Sequence, residues 1–180
     1  NHVGYYPGAK PINMKLVFRK SDGRILGAQA VGEAAVDRRI DVIATAIQFG
    51  GTVFDLEESE LCYAPQFGGA KDPVNYAGMT ASNSLRGDVP LADWKQLLPE
   101  SAVLVDVRDP DEFEEGHIPG AINLPLNELR TRLGELPRDR ELWLYCRVGQ
   151  RGYYAARLLM QHGFQVKNLP GGYLTYELIK

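Results

Sequence analysis

The second half of the chain alternates between two kinds of segment, and this alternation narrows the fold more than any other feature. "AVLVDVR" (102–108), "AINLP" (121–125), "ELWLYC" (141–146) and "QVKNLP" (165–170) are short, nearly continuous apolar runs. They read as strands buried on both faces. The intervening "DPDEFEEGH" (109–117), "LNELRTRLGEL" (126–136) and "GYYAARLLMQHG" (152–163) read as helices, the first short and acidic, the others amphipathic. Apolar strands joined through helices predict an α/β domain with a mainly parallel sheet covered on both sides.

The first half follows a different rhythm. "MKLVFRKSDGRILGAQAVG" (14–32) reads as a hairpin whose turn chemistry comes from Ser21, Asp22 and Gly23. In "DRRIDVIATAIQFGG" (37–51) Ile40, Ile43, Ala44 and Ile47 recur at helical spacing, and Gly50 stands where a left-handed residue would end the helix. A second helix is expected over 71–85, with Asp72 as N-cap and Pro73 at the first helical position. "RGDVP" (86–90) then breaks both patterns. The expectation is an α+β domain over 1–85, a linker over 86–90 and the α/β domain over 91–180.

Charge and cysteine usage exclude several functions. Of 180 residues, 20 are basic and 23 acidic, and the basic ones are scattered, so neither a nucleic-acid footprint nor an anionic-membrane patch is expected. No apolar run approaches the roughly 20 residues that span a bilayer. Cys62 and Cys146 stand 84 residues apart, which supports neither a disulfide scaffold nor a metal site and fits a reducing cytoplasm. The chain starts at Asn1 without Met, and strand-like patterning begins almost at once, which suggests a piece of a longer protein.

Chemistry concentrates at the end of the third strand of the α/β half. A strand ending at Cys146 and a helix beginning near Gly152 leave Cys146, Arg147, Val148, Gly149, Gln150 and Arg151 as a strand-to-helix turn. Folds of this kind place their ligands at that edge of the sheet. Successive amides in such a turn, added to the positive end of the next helix, stabilise an anion. A thiol there should ionise below its ordinary value of about 8.5, and Arg147 and Arg151 push the same way. Gly149 suits a loop whose backbone must approach its ligand. The alternative is that Cys146 is a small apolar residue closing the core at the strand end.

"LVDVRDPDEFEEGHIPGAINLP", "YCRVGQRG" and "LPGGYLTY" together resemble the entry motif, active-site loop and closing motif of rhodanese domains over about residues 88–177. The resemblance implies that Cys146 accepts a sulfane sulfur as a persulfide cradled by the amides of Arg147 to Arg151. Small sulfur donors and thiol acceptors would then be its partners. Related cell-cycle phosphatases carry one more residue between the Cys and the Arg, so the loop here has the shorter, sulfur-sized form. Asp106, Arg108 and His117 fall in the entry motif, on an earlier strand and turn. A supporting role is expected for Asp106 and Arg108. His162, before Gly163, is expected to cap its helix.

The first half carries a second resemblance. "YYPGA", "GRILGAQAVG" and the run from Val36 to Gly78 resemble the dimerisation domain of pyridine nucleotide-disulfide oxidoreductases, in the branch of coenzyme A-disulfide reductases and NADH oxidases. This implies a homodimer built by residues 1–85, with FAD, NAD(P)H and, as a further ligand, coenzyme A bound in the parent protein. No cofactor is expected in residues 1–180, because no GxGxxG occurs in them, and N-terminal flavin domains are implied outside them. "ESELCYAPQF" (58–67) lacks the histidine of glutathione-reductase-like relatives and resembles the branch in which a tyrosine reaches the partner's site. Tyr63 matches that tyrosine, and Tyr5 is the second choice. A plain interface aromatic remains equally open for Tyr63, and Cys62 reads as structural.

Overall fold

In the computed structural model residues 1–96 and 102–180 are described, and the chain divides into two units, Asn1–Arg86 and Gly87–Lys180. In the first, β1 (Ile12–Phe18) and β2 (Ile25–Gly32) form an antiparallel hairpin with an irregularity at Val17/Phe18. Asp22 closes the turn by accepting the Arg24 N–H and the Arg19 guanidinium, while Gly23 takes φ +74°. Helix α1 (Val36–Gln48) covers the hairpin, and Gly50 ends it at φ +72°, donating to Ile47 O.

A short helix that the sequence reading did not assign, α2 (Val53–Glu58), is nucleated by a capping box between Thr52 and Asp55. Helix α3 (Pro73–Arg86) begins with a similar reciprocal pair: Asp72 Oδ1 accepts the Val74 N–H, and Asn75 Oδ1 accepts the Asp72 N–H. Ile25, Ile43, Val53, Leu56, Val74 and Ala81 form the core. Beside that core Asp72 also meets the fully buried Arg39, whose guanidinium donates to Asn1 O, Ala35 O and Phe67 O.

The second unit is a four-stranded parallel sheet of order β4-β3-β5-β6, made of β3 (Ala102–Asp106), β4 (Ile122–Asn123), β5 (Glu141–Tyr145) and β6 (Val166–Asn168). Helices α4 (Pro110–Glu115), α5 (Gln150–Gln161) and α6 (Gly172–Ile179) complete it. The period of two along β5 sends Leu142, Leu144 and Cys146 into one core, and Trp143 and Tyr145 into another. Both faces are therefore covered, as continuous apolar strands require.

The helix expected over 126–136 is not an α-helix. The segment is a succession of turns ending in a 3₁₀ turn, Leu133–Glu135, with bonds such as Leu129 N–H to Leu126 O and Leu136 N–H to Leu133 O. Leu129 and Leu136 are buried all the same, each at the end of its own three-residue turn, begun at Leu126 and at Leu133. Gly134 inside the segment weighs against a regular helix. Among the described residues no helix is long and apolar enough to cross a membrane.

Candidate active site

β5 delivers Cys146 to the carboxyl edge of the sheet with 1% of its surface exposed. Helix α5 begins at Gln150, two residues earlier than expected, with Gly149 as N-cap at φ +103°. The turn proper is thus Cys146–Gly149, and Gln150 and Arg151 belong to the first helical turn. Gly149 donates its N–H to Cys146 Sγ at 3.1 Å.

The carbonyls of this turn are held from outside. Tyr173 N–H donates to Cys146 O at 2.7 Å and Leu174 N–H to Arg147 O at 3.1 Å, both from the first turn of α6. The Gly149 carbonyl accepts Tyr153 N–H at 2.9 Å and Asn168 Nδ2 at 3.1 Å. In a trans peptide the C=O and N–H point in opposite directions. Pinning the carbonyls of Cys146, Arg147 and Gly149 outward therefore turns the N–H groups of Arg147, Val148 and Gln150 the other way. Together with the Gly149 N–H on Sγ this makes a cluster of amides suited to an anion.

Three glycines make the close approach possible. Gly149, Gly171 and Gly172 all have positive φ, and a Cβ on Gly172 would strike Cys146 O. Asn168 is buried, with its backbone tied to Pro90 O and Ala92 N–H, and its Oδ1 faces the bare Cα side of Gly152 without a hydrogen-bond partner. The sequence reading did not single out Asn168. Its signal was its place one residue before the "LPGG" that turns into α6.

The remaining expected residues are distributed as follows. Arg151 does not stand free: Nη1 and Nη2 donate to Glu112 at 2.6 and 2.8 Å, and Nη1 lies 3.4 Å from Asp109. Glu112 raises the Arg151 pKa further above its ordinary range, and Arg151 in turn holds the Glu112 carboxyl below the usual glutamate value. Arg147, Val148 and Gln150 are exposed, and Gln150 Nε2 donates to Tyr154 Oη.

Asp106 is fully buried in a two-pronged pair with Arg108, whose Nη2 also donates to Gly116 O. The Arg108 guanidinium lies 4.3 Å from the centre of the Tyr173 ring, so this pair reaches the cysteine turn through the residue that grips Cys146 O. Tyr145 points to the opposite face and donor Ile118 N–H meets its hydroxyl; burial pushes that phenol well above its ordinary range. His117 stacks on Phe113 and hydrogen-bonds Phe113 O. His162 is the C-cap of α5.

In the other unit Tyr5 and Tyr63, 58 positions apart, place their hydroxyls 3.3 Å from each other, and both rings are exposed. The Tyr5 hydroxyl raises the Tyr63 pKa. Cys62 is exposed and free, with its carbonyl accepting Arg38 Nη2.

Comparison with known proteins decides the family. Residues 91–178 match the rhodanese-like domain, and residues 1–72 match the dimerisation domain of pyridine nucleotide-disulphide oxidoreductases. A sulfurtransferase of Allochromatium vinosum is 44% identical over 78 residues, 43% of this chain and 73% of that protein. The chain belongs to the rhodanese-like family. Its rhodanese-like domain is fused to a dimerisation domain of the disulfide-reductase type.

A coenzyme A disulfide reductase of Staphylococcus epidermidis is 41% identical over 80 residues, 44% of this chain but 18% of the reductase. Among solved structures, reduced CoADR-RHD of Bacillus anthracis superposes with a TM-score of 0.94 at 49% identity, over 97% of this chain and 32% of that one. A NAD-dependent persulfide reductase from A. fulgidus gives 0.85 at 39% identity, over 95% and 31%. The rhodanese-like chain thus spans about a third of either solved protein.

Proposed function

We infer that the second unit is a sulfurtransferase whose nucleophile is Cys146. The observation that carries this reading is the Gly149 N–H on Sγ within a turn whose Cys146, Arg147 and Gly149 carbonyls are held outward. The thiolate attacks the outer sulfur of a donor such as thiosulfate or a polysulfide. With thiosulfate, Cys–S⁻ and ⁻S–SO₃⁻ give Cys–S–S⁻ and SO₃²⁻: one S–S bond forms, another breaks, and its electron pair leaves on sulfite. A thiolate acceptor then takes the outer sulfur, RS⁻ and Cys–S–S⁻ giving RS–S⁻ and Cys–S⁻, in a two-step exchange. The amides of Val148, Gly149 and Gln150 hold the charge on the outer sulfur, and neither step requires another group.

The longer protein is read as an FAD- and NAD(P)H-dependent reductase of coenzyme A disulfide, persulfide or polysulfide, homodimeric through residues 1–85 and cytoplasmic. Among the described residues no strand-to-helix turn carries the glycine pattern that cradles a dinucleotide: after β2 the turn is Glu33-Ala34-Ala35, after β3 Val107-Arg108-Asp109, after β5 the cysteine turn and after β6 Leu169-Pro170-Gly171. Other segments therefore hold the flavin and nicotinamide. Tyr5 and Tyr63, paired and exposed, are read as the groups offered to the partner subunit's site.

The test is intact-mass analysis after thiosulfate or polysulfide treatment. One added sulfur is expected on the native chain and on Cys62→Ser, and none on Cys146→Ser. Loading without thiocyanate formation from cyanide would make the unit a persulfide carrier rather than a turnover enzyme. Loading of Cys146→Ser would sink the reading.

A further inference from the structure

The mouth of the cysteine turn is electrically quieter than its sequence implies. Two arginines flank it, but the charge of Arg151 is already matched. Its two terminal nitrogens face the two oxygens of Glu112 at 2.6 and 2.8 Å, the parallel two-bond geometry in which guanidinium and carboxylate bind most specifically. Asp109 adds a second carboxylate at 3.4 Å. Arg147 is exposed with no side-chain partner among the described residues. These two arginines and two carboxylates cancel.

Glu112 cannot readily release its partner. It stands at the third position of α4, where Oε2 also accepts the Asp109 N–H at 3.3 Å and completes the capping box. Only 23% of its side chain is exposed. Arg151 holds its carboxyl below the usual glutamate range through this pair of hydrogen bonds.

The geometry points to Glu112 as a specificity-determining residue: by occupying the Arg151 guanidinium it withholds the positive charge that a dianionic sulfur donor needs, and so favours donors of lower charge. An extra negative charge on the donor meets a carboxylate whose neutralising arginine is shared, and like-charge juxtaposition discriminates between ligands more than it alters total affinity. This inference rests on Cys146 being the sulfur acceptor.

Two donors isolate the charge. Thiosulfate, a dianion, releases sulfite, whereas methanethiosulfonate, a monoanion, transfers the same outer sulfur and releases methanesulfinate: Cys–S⁻ and CH₃SO₂S⁻ give Cys–S–S⁻ and CH₃SO₂⁻. The experiment measures second-order loading of the full chain with each donor. Glu112→Gln keeps an acceptor at the capping position, and it should raise the thiosulfate-to-methanethiosulfonate ratio about tenfold, the effect of one elementary charge at close range. Asp109→Asn, removing the more distant carboxylate, should shift the ratio in the same direction but less. High salt should shrink the difference between native and variant. A ratio within about twofold of native in both folded variants, whatever the absolute rates, would show that Glu112 merely holds Arg151 in place. If the native chain loads from neither donor, the assignment of Cys146 falls and this inference falls with it.

Discussion

Gly172 offers the sharpest test of how the cysteine turn is held. It lies at φ +59°, and a Cβ there would fall onto Cys146 O and 2.8 Å from Arg147 C and O. The obstructing atoms are backbone, so nothing flexible can move aside. Gly163 is the control, with φ +80° and nothing within 4 Å of a Cβ. Gly163→Ala adds only left-handed backbone strain, about 1–2 kcal/mol. Gly172→Ala adds that and the overpacking of a tight site, about 1–3 kcal/mol more. At roughly 4–8 °C per kcal/mol for a domain of this size, the control should lose about 4–16 °C and Gly172→Ala about 8–40 °C. Function separates them further. Relief of the clash requires α6 to retreat, which releases the Cys146 and Arg147 carbonyls, so sulfur loading at a temperature where both variants are folded should fall in Gly172→Ala and hold in Gly163→Ala. Thermal unfolding by circular dichroism and intact-mass loading kinetics read the two effects. Equal behaviour of the two variants in both assays would refute the view that α6 shapes the turn.

Three further outcomes follow from the same geometry. Arg108→Met leaves the buried Asp106 carboxylate without its partner and should cost about 3–5 kcal/mol in urea unfolding. Because Arg151 depresses the Glu112 pKa, the pair stabilises the folded unit fully above the ordinary glutamate range, and this contribution is lost as pH falls through the lower folded value. The melting temperature of Glu112→Gln should therefore run parallel to native between pH 6 and 8 and converge on it below about pH 4; parallel curves down to acid would remove the ion pair from the account. Tyr5→Phe should bring the Tyr63 phenol back down toward its usual titration, visible as an earlier rise in phenolate absorbance.

Strands and site were legible in the sequence to different degrees. Buried strands declare themselves by continuous apolar runs, and the turn after β5 by the conjunction of Cys146, Gly149 and a following helix. The segment 126–136 misled because Leu126, Leu129, Leu133 and Leu136 follow the three- and four-residue spacing of an α-helix face, while the chain closes separate three-residue turns at 126–129 and 133–136, each burying its last leucine. Helix α6 was hidden behind two glycines, poor helix formers whose positive φ places its first turn against the cysteine backbone. The engagement of Arg151 was half visible: Asp109 and Glu112 stand at capping-box spacing, but that they meet Arg151 depends on strand order, with α4 following β3 and α5 following the adjacent β5. Tyr5 and Tyr63 were each singled out alone, and only tertiary folding brings their hydroxyls together.

Gly87, Gly120 and Gly163 hold left-handed backbone in open surroundings, whereas the other such positions described in the second unit gather at the cysteine turn. Gly149, Gly171 and Gly172 hold left-handed backbone, and Asn168 keeps a buried oxygen without a hydrogen-bond partner, all in contact with the cysteine turn or its supports. Glycine adopts such backbone without strain, so its conformation is set by the structure packed around it. Here the determinants are α6, held in turn by Arg108 over the Tyr173 ring, and β6, held by the 90–92 segment. Their joint effect is that the amides facing Sγ are already oriented before a second sulfur arrives. In the proposed transfer, charge moving from Sγ to an outer sulfur would stay within the same set of fixed dipoles, with no loop to reorganise. Positioning by backbone rather than by free arginines also explains how the turn can carry Glu112 and Asp109 at its mouth. If preformed dipoles supply the stabilisation, Arg151→Gln should slow loading far less than Gly172→Ala does, although it removes a full charge and Gly172→Ala removes none. The reverse order in loading rates would transfer the leading role to the guanidinium.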